Sequence, residues 1–269
     1  MKRFLAMTAA ALVAVVTIAP LAWMISASFM PTGQASTFPP SFIPHPATLE
    51  QYAALFTRLN LGRYLLNSIF IATCVTIIST VVNSMAGYAF AKFRFKGRDA
   101  LFRILIASMV IPAQVTMLPL FLMLKKVGLI NTFPGVIIPG IASIFGIFLI
   151  RQFVQSIPDS LLEAARMDGA TEFRIYRTII LPLSKPVLIT LAIFTFMSTW
   201  NDFLWPLIVM TDDSMYTLPV ALAGLSGEHV QDTELMMAGS VLTVLPVLLL
   251  FVAMQKYYIR GIMAGGVKE

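Results

Sequence analysis

Charge is what this chain has least of. Its 269 residues carry 19 Lys and Arg and 13 Asp and Glu, far below the quarter of residues usual in a soluble domain. Hydrophobic residues make up 58%, and the mean hydropathy is +0.84. That balance excludes a soluble globular enzyme, a nucleic-acid-binding domain and a disordered scaffold. The single cysteine, Cys74, leaves no intramolecular disulfide and no cysteine-rich metal cluster. No Gly-x-x-x-x-Gly-Lys-Ser/Thr loop occurs, and no Gly-Lys pair, so the chain has no cradle for nucleotide phosphates. A His-Glu-x-x-His metal motif, a Gly-x-Ser-x-Gly elbow and a second intramembrane acid are missing too. No catalytic residue and no metal ligands are expected. What is left is an integral membrane protein.

Charged residues divide the chain into long uncharged runs. Roughly 20 apolar residues cross the bilayer hydrocarbon as a helix. Six runs qualify: Phe4 to Phe29, Tyr64 to Ala91, Ile104 to Leu124, the run between Lys126 and Arg151, Pro186 to Thr211, and Leu235 to Gln255. Helix breakers interrupt three of them: Pro112 and Pro119 in the third, Gly135, Pro139, Gly140 and Gly146 in the fourth, Pro206 in the fifth. A bundle can satisfy the freed backbone groups, although the fourth is left the least well defined. Lys2 and Arg3 before the first run also fit a secretory signal peptide. Its 26 uncharged residues exceed a signal's apolar core, which favours an uncleaved anchor.

Lys and Arg collect on the cytoplasmic side of a membrane. With the N-terminus inside, fifteen basic residues fall on cytoplasmic segments and four, Arg58, Arg63, Lys125 and Lys126, fall outside. The loop after the fifth span holds Asp212, Asp213, Glu228, Asp232 and Glu234 and no base. Both termini are therefore expected in the cytoplasm.

One cytoplasmic connection is unusual. Links within a helix bundle are typically about 2 to 8 residues long, yet Arg151 to Lys185 spans 35, with five basic and four acidic side chains. Pro158 suits a first helical position, and Asp159 suits the positive end of the helix dipole. Leu161, Leu162, Ala164, Ala165 and Met167 supply an apolar stripe, and Gly169 offers a left-handed stop. Thr171 can cap a second helix containing Phe173, Tyr176 and Ile180, which Pro182 ends. Composition leaves three readings open: a solvated hairpin, an amphipathic membrane-surface element, or a docking element for a soluble partner. A DNA-binding helix-turn-helix is disfavoured because the three-helix core is missing.

The pattern Glu163-Ala164-Ala165, then Gly169, then Ile179 and Leu181-Pro182 matches the EAA loop of binding-protein-dependent ABC importer permeases at every anchor position. The string from Glu163 to Pro186, EAARMDGATEFRIYRTIILPLSKP, resembles the carbohydrate-uptake branch of maltose-permease type. Trp200-Asn201-Asp202-Phe203-Leu204-Trp205-Pro206 and the ending Gly261 to Lys268 are similar to the same branch, while Glu269 departs from the glycine expected there. The resemblance implies an all-α membrane protein of six transmembrane helices with the type I ABC importer fold. Residues 1–63 would form the first helix and its external loop, 64–255 the core with its coupling loop at 151–186, and 256–269 a cytoplasmic tail. It also implies a permease subunit in a bacterial inner membrane, paired with a second homologous permease, two cytosolic ATPase copies and an extracytoplasmic solute-binding protein. No cofactor is expected on this chain; ATP and magnesium would belong to the ATPase. Glu163, Ala164, Ala165, Asp168, Gly169, Ile179, Leu181 and Pro182 would form the ATPase-coupling element. A sugar or oligosaccharide is the expected cargo, and glycerol phosphate a rival within the same architecture.

Asp202 is the one ionisable residue well inside a span, so it is a functional candidate. An ion-coupled carrier using it is the reading from a different class. No Lys, Arg or His lies deep in a span to relay with it, and His45 and His229 fall in external loops. The alternatives are hydrogen bonding within the bundle, or a sugar path with Trp200 as stacking face and Asn201 and Asp202 as hydroxyl partners. Asn67, Asn83 and Gln114 either line that path or hydrogen-bond between helices. Gly224, Leu225, Ser226 and Gly227 form either a flexible tip facing the binding protein or a solvated loop. The tail either reaches the ATPase or frays.

Overall fold

A computed structural model describes residues 2–39, 41–228 and 232–266, which are helical with no strand among them. Helices α1 (Lys2–Ala27) and α2 (Glu50–Thr57) precede α3 (Leu61–Lys92). Next come α4 (Arg98–Ser108) and α5 (Ala113–Lys126), then α6 (Phe133–Gly140) and α7 (Ile144–Gln155). The charged connection holds α8 (Asp159–Met167), α9 (Glu172–Ile175), a π turn (Tyr176–Ile180) and α10 (Leu181–Leu183). Helices α11 (Lys185–Trp200), α12 (Leu204–Val209), α13 (Leu218–Glu228) and α14 (Thr233–Gly266) follow.

Among the described residues, four helices are long and apolar enough to cross a membrane: α1, α3, α6 with α7, and the first part of α14. The count reaches six if each of two bent pairs is one span. One is α4 with α5, which meet at 105°, so the third run is not a single rod from Ile104 to Leu124. Pro112 stands extended at the break; it disfavours helix at Ile111, and its missing N–H costs nothing at the start of α5. The fifth run also divides, with α11 ending at Trp200 and α12 starting at Leu204. The fourth, for all its glycines and prolines, passes as one 23-residue span.

Two compact units are present. One comprises Met1–Leu66 and Thr217–Leu249. In it the central window of α1 buries nothing against the chain, leaving that helix free for lipid or another subunit. Ala27, Met30 and Ala35 pack with Trp23 and Met237. The buried Glu234 carboxylate accepts the Ala35 N–H at 2.6 Å, which ties the first loop to the start of α14. The acidic loop, read as either a flexible tip or a solvated loop, contains α13, with Gly224 on its exposed side. The side chains of Leu225 and Ser226 lie outside the described residues. Helix α14 continues through the expected tail to Gly266; the last three residues also lie outside the description.

The other unit comprises Asn67–Tyr216 and Leu250–Glu269. One of its clusters joins Ile71, Val75, Leu124, Val136, Trp205 and Val209. A second cluster gathers α3, α7, α8, the π turn and α11 around Ile150, Leu162, Tyr176 and Leu191. It seats the charged connection.

Candidate functional site

Pro158 takes the N-cap of α8 in an extended conformation, one place ahead of the expected first helical position. Asp159, in the first turn, receives Lys92 Nζ at 2.6 Å, and that bond holds its carboxyl below the usual range. The pair is therefore intact above the ordinary carboxylate pKa and is lost as pH falls through the depressed value. At the far end of α8, the Ala170 N–H bonds the Ala165 carbonyl at 2.9 Å and the Gly169 N–H bonds the Arg166 carbonyl at 3.0 Å. This two-bond closure places a left-handed residue at Gly169, whose φ is +80°. No atom lies within 4 Å of where a Cβ would stand, so a side chain there meets backbone strain alone.

Thr171 is extended and its Oγ1 accepts the Arg174 N–H at 3.3 Å, the cap that the sequence predicts. Thr171→Ala is expected to cost about 1 kcal/mol, read as a drop of a few degrees in the Tm of the purified protein. The second helix does not end at Pro182. The ladder widens into the π turn, where the Leu181 N–H reaches back to the Tyr176 carbonyl, and Pro182 enters the first turn of α10. The wider turn stands where a proline ring would otherwise meet the carbonyl four residues back. The chain bends only after Ser184, by 79°.

The apolar stripe expected on one face is divided between two. Leu162, Ile175, Tyr176 and Ile180 are buried, with Ala165, Ile179 and Leu181 packed beside them. Glu163, Ala164, Asp168, Gly169 and Pro182 face outward, as do Met167, 88% exposed, and Phe173, 65% exposed. Behind the outward face, the Arg166 Nε donates to Glu172 Oε1 at 2.7 Å and the Tyr88 hydroxyl donates to Glu172 Oε2 at 2.8 Å. Ser84 Oγ and the Tyr176 hydroxyl lie 2.6 Å apart. A cleft of 490 Å³ opens between Glu163, Arg166 and the Phe93–Phe95 stretch after α3. Sequence reasoning passed over Tyr88, Lys92 and Glu172. The signal was there in the spacing of Ser84, Tyr88 and Lys92, which puts three polar groups along one face of α3.

The six residues considered for a solute path do not converge. Trp200 is 1% exposed and stacks on Phe196, so it presents no free face for a sugar. Asn201 donates to the Met197 carbonyl at 2.8 Å, finishing α11. Asn83 is fully buried; it donates to Ser79 Oγ at 2.7 Å and accepts the Ser143 N–H at 3.0 Å across helices. Gln114 is exposed on α5. Asn67 donates to the carbonyls of Ser214 and Tyr216 at 3.1 and 3.0 Å. Asp202 lines a cavity of 290 Å³ shared with Thr116, Met117, Gly140 and Thr199, and its Oδ1 accepts the Trp205 N–H at 3.4 Å. It caps α12 at the break in the fifth run.

Residues 83–263, more than half of the chain, match the family described as binding-protein-dependent transport system inner membrane component. The chain belongs to this family. It is thus a multi-pass permease subunit of the inner membrane, and not an enzyme. It is 38% identical over 261 residues to the arabinooligosaccharides transport system permease protein AraQ of Halalkalibacterium halodurans, covering 96% of this chain and 94% of that one. It is 33% identical to the diacetylchitobiose uptake system permease protein NgcG of Streptomyces coelicolor, covering 95% and 86%. Its fold matches a chain in the crystal structure of a bacterial ABC transporter involved in the import of the acidic polysaccharide alginate, with a TM-score of 0.86, 24% identity and coverage of 96% and 97%.

Proposed function

We propose that this permease carries an oligosaccharide inward, driven by a partner ATPase that grips the outward face of α8. The observation that carries the coupling role is the division of the segment. One face is built into the membrane unit, while the other leaves Glu163, Met167 and Phe173 standing free beside a rigidly closed turn. The oligosaccharide follows from relatives at 38% and 33% identity whose names specify such cargo. The assembly pairs this chain with a second, homologous permease, two ATPase copies that hold the ATP and magnesium, and a solute-binding protein on the far side. Both termini and the α8–α10 segment lie in the cytoplasm, in line with the distribution of Lys and Arg. Asp202, engaged at the α12 cap, supplies no support for ion coupling.

Reconstitution in proteoliposomes with the neighbouring ATPase and binding protein tests this reading, using arabinotriose and diacetylchitobiose as probes. Uptake should require ATP inside the vesicle; uptake by the permease chains alone would refute it. A charge reversal, Glu163→Lys, is expected to cut ATPase co-purification and uptake by roughly tenfold, as for a lost contact of about 1.4 kcal/mol at a docking surface. The amount of the chain in the membrane should not change.

A further inference from the structure

Ser84, Tyr88 and Lys92 stand at positions i, i+4 and i+8 of α3, so they share one face. Each holds a different part of the coupling segment. Lys92 Nζ reaches the Ile157 carbonyl at 2.5 Å and Asp159 at 2.6 Å, where the segment begins. Tyr88 holds Glu172, whose other oxygen already holds Arg166, so one carboxylate binds α8, α9 and α3 together. Ser84 holds Tyr176 in the π turn. Ser84, Tyr88 and Tyr176 are all under 7% exposed, and the Lys92 side chain is 6% exposed although its partner Asp159 is 69% exposed. The Ser84–Tyr176 bond is therefore shielded from competing water, while the Asp159 and Glu172 carboxylates keep one side in solvent.

We propose that α3 is the transmission rod of this subunit, and that Ser84, Tyr88 and Lys92 are the positioning residues that make it follow the coupling segment. The inference deepens the docking reading and rests on it. The covalent route into α11 turns through 79° after Ser184, a joint that passes on little axial push. Helix α3 is continuous for 32 residues, about 48 Å at 1.5 Å per residue. Next to Ser84, Asn83 holds the Ser143 N–H at the break between α6 and α7. At the opposite end, Asn67 holds the Ser214 and Tyr216 carbonyls. A push at Lys92, Tyr88 and Ser84 thus reaches both the α6–α7 break and the segment leading to α13 without crossing a flexible joint.

The single cysteine, Cys74, is a ready reporter because it sits on α3. In the purified complex with its ATPase, the rate of N-ethylmaleimide modification at Cys74 is followed by mass spectrometry, with and without ATP and vanadate. Trapping should change the wild-type rate by roughly fivefold or more, the range of an ordinary coupling energy. Tyr88→Phe removes one hydroxyl. It should leave ATPase co-purification and ATP hydrolysis near wild type while most of the nucleotide-dependent change at Cys74 disappears. Glu172→Gln, on a half-exposed side chain that folding tolerates, should do the same, and the pair together should add little. A wild-type rate that ignores nucleotide, or variants that keep the full change, would overturn the proposal while the docking reading stands. Failure of the wild-type chain to retain ATPase would sink the docking reading itself, and this inference with it.

Discussion

Gly169→Val should abolish uptake and ATPase co-purification, while Gly169→Asn retains most of both. The two variants separate backbone conformation from space. With nothing within 4 Å of a Cβ at this position, neither side chain clashes, and both must take φ near +80°. A left-handed conformation costs an L-residue about 1–2 kcal/mol, and more for a β-branched side chain, whereas asparagine visits that region readily. Valine is expected to open the closure made by the Ala170 and Gly169 N–H groups, letting α8 unwind from its C-terminal end. Glu163 and Met167 would then lose their fixed attitude toward the partner. Vesicle uptake and pull-down of the ATPase measure the effect, and immunoblotting of membranes shows whether the chain is still inserted. Equal uptake by the valine and asparagine variants would remove the mechanical role assigned to this turn.

The second large effect is expected at Asn83. This side chain is fully buried, and its loss leaves the Ser143 N–H without its partner at the break in the fourth span. Leaving this part-buried donor unsatisfied costs about 1 kcal/mol, and the buried Ser79 bond is lost as well. Asn83→Ala should therefore lower the Tm in detergent by several degrees. Gly146→Ala should do nearly the same from the opposite side, because its Cβ would come within 2.7 Å of both Asn83 Nδ2 and Ser143 Oγ. The double variant should be milder than the sum, since truncating Asn83 makes room for the new methyl group. Strict additivity would show that the two positions do not share this contact.

Much of the coupling segment was legible because its signals are local. A proline start, the Gly169 stop and the Thr171 cap each depend on a few neighbouring residues, and all three act where expected or within one position of it. What hydropathy could not show was direction. Ile104 to Leu124 reads as one apolar run, yet the extended backbone at Pro112 turns it through 105°. Apolar composition specifies that a segment enters lipid, while the path through it depends on which backbone groups find partners. The same limit governed the polar residues within the spans. Asn67, Asn83 and Asp202 all read as candidate path-lining groups, but Asn67 and Asn83 answer backbone groups distant in sequence, and Asp202 answers the Trp205 amide just past its own break. Tyr88 and Lys92 escaped notice because their partners lie 84 and 67 residues further along the chain.

The π turn has one more consequence. A wide turn contains a residue that a tight helix would not need, so excising one residue between Tyr176 and Ile180 would let the ladder close up. The bulge absorbs the loss, so everything downstream would keep its phase about the helix axis. Ile180 and Val187 would still face the cluster around Ile150, but the Pro182 ring would again confront a carbonyl. The extra residue between Gly169 and Pro182 therefore works as a shim: the lever meets the bundle in the same phase as a plain helix would, while the proline ring is given clearance.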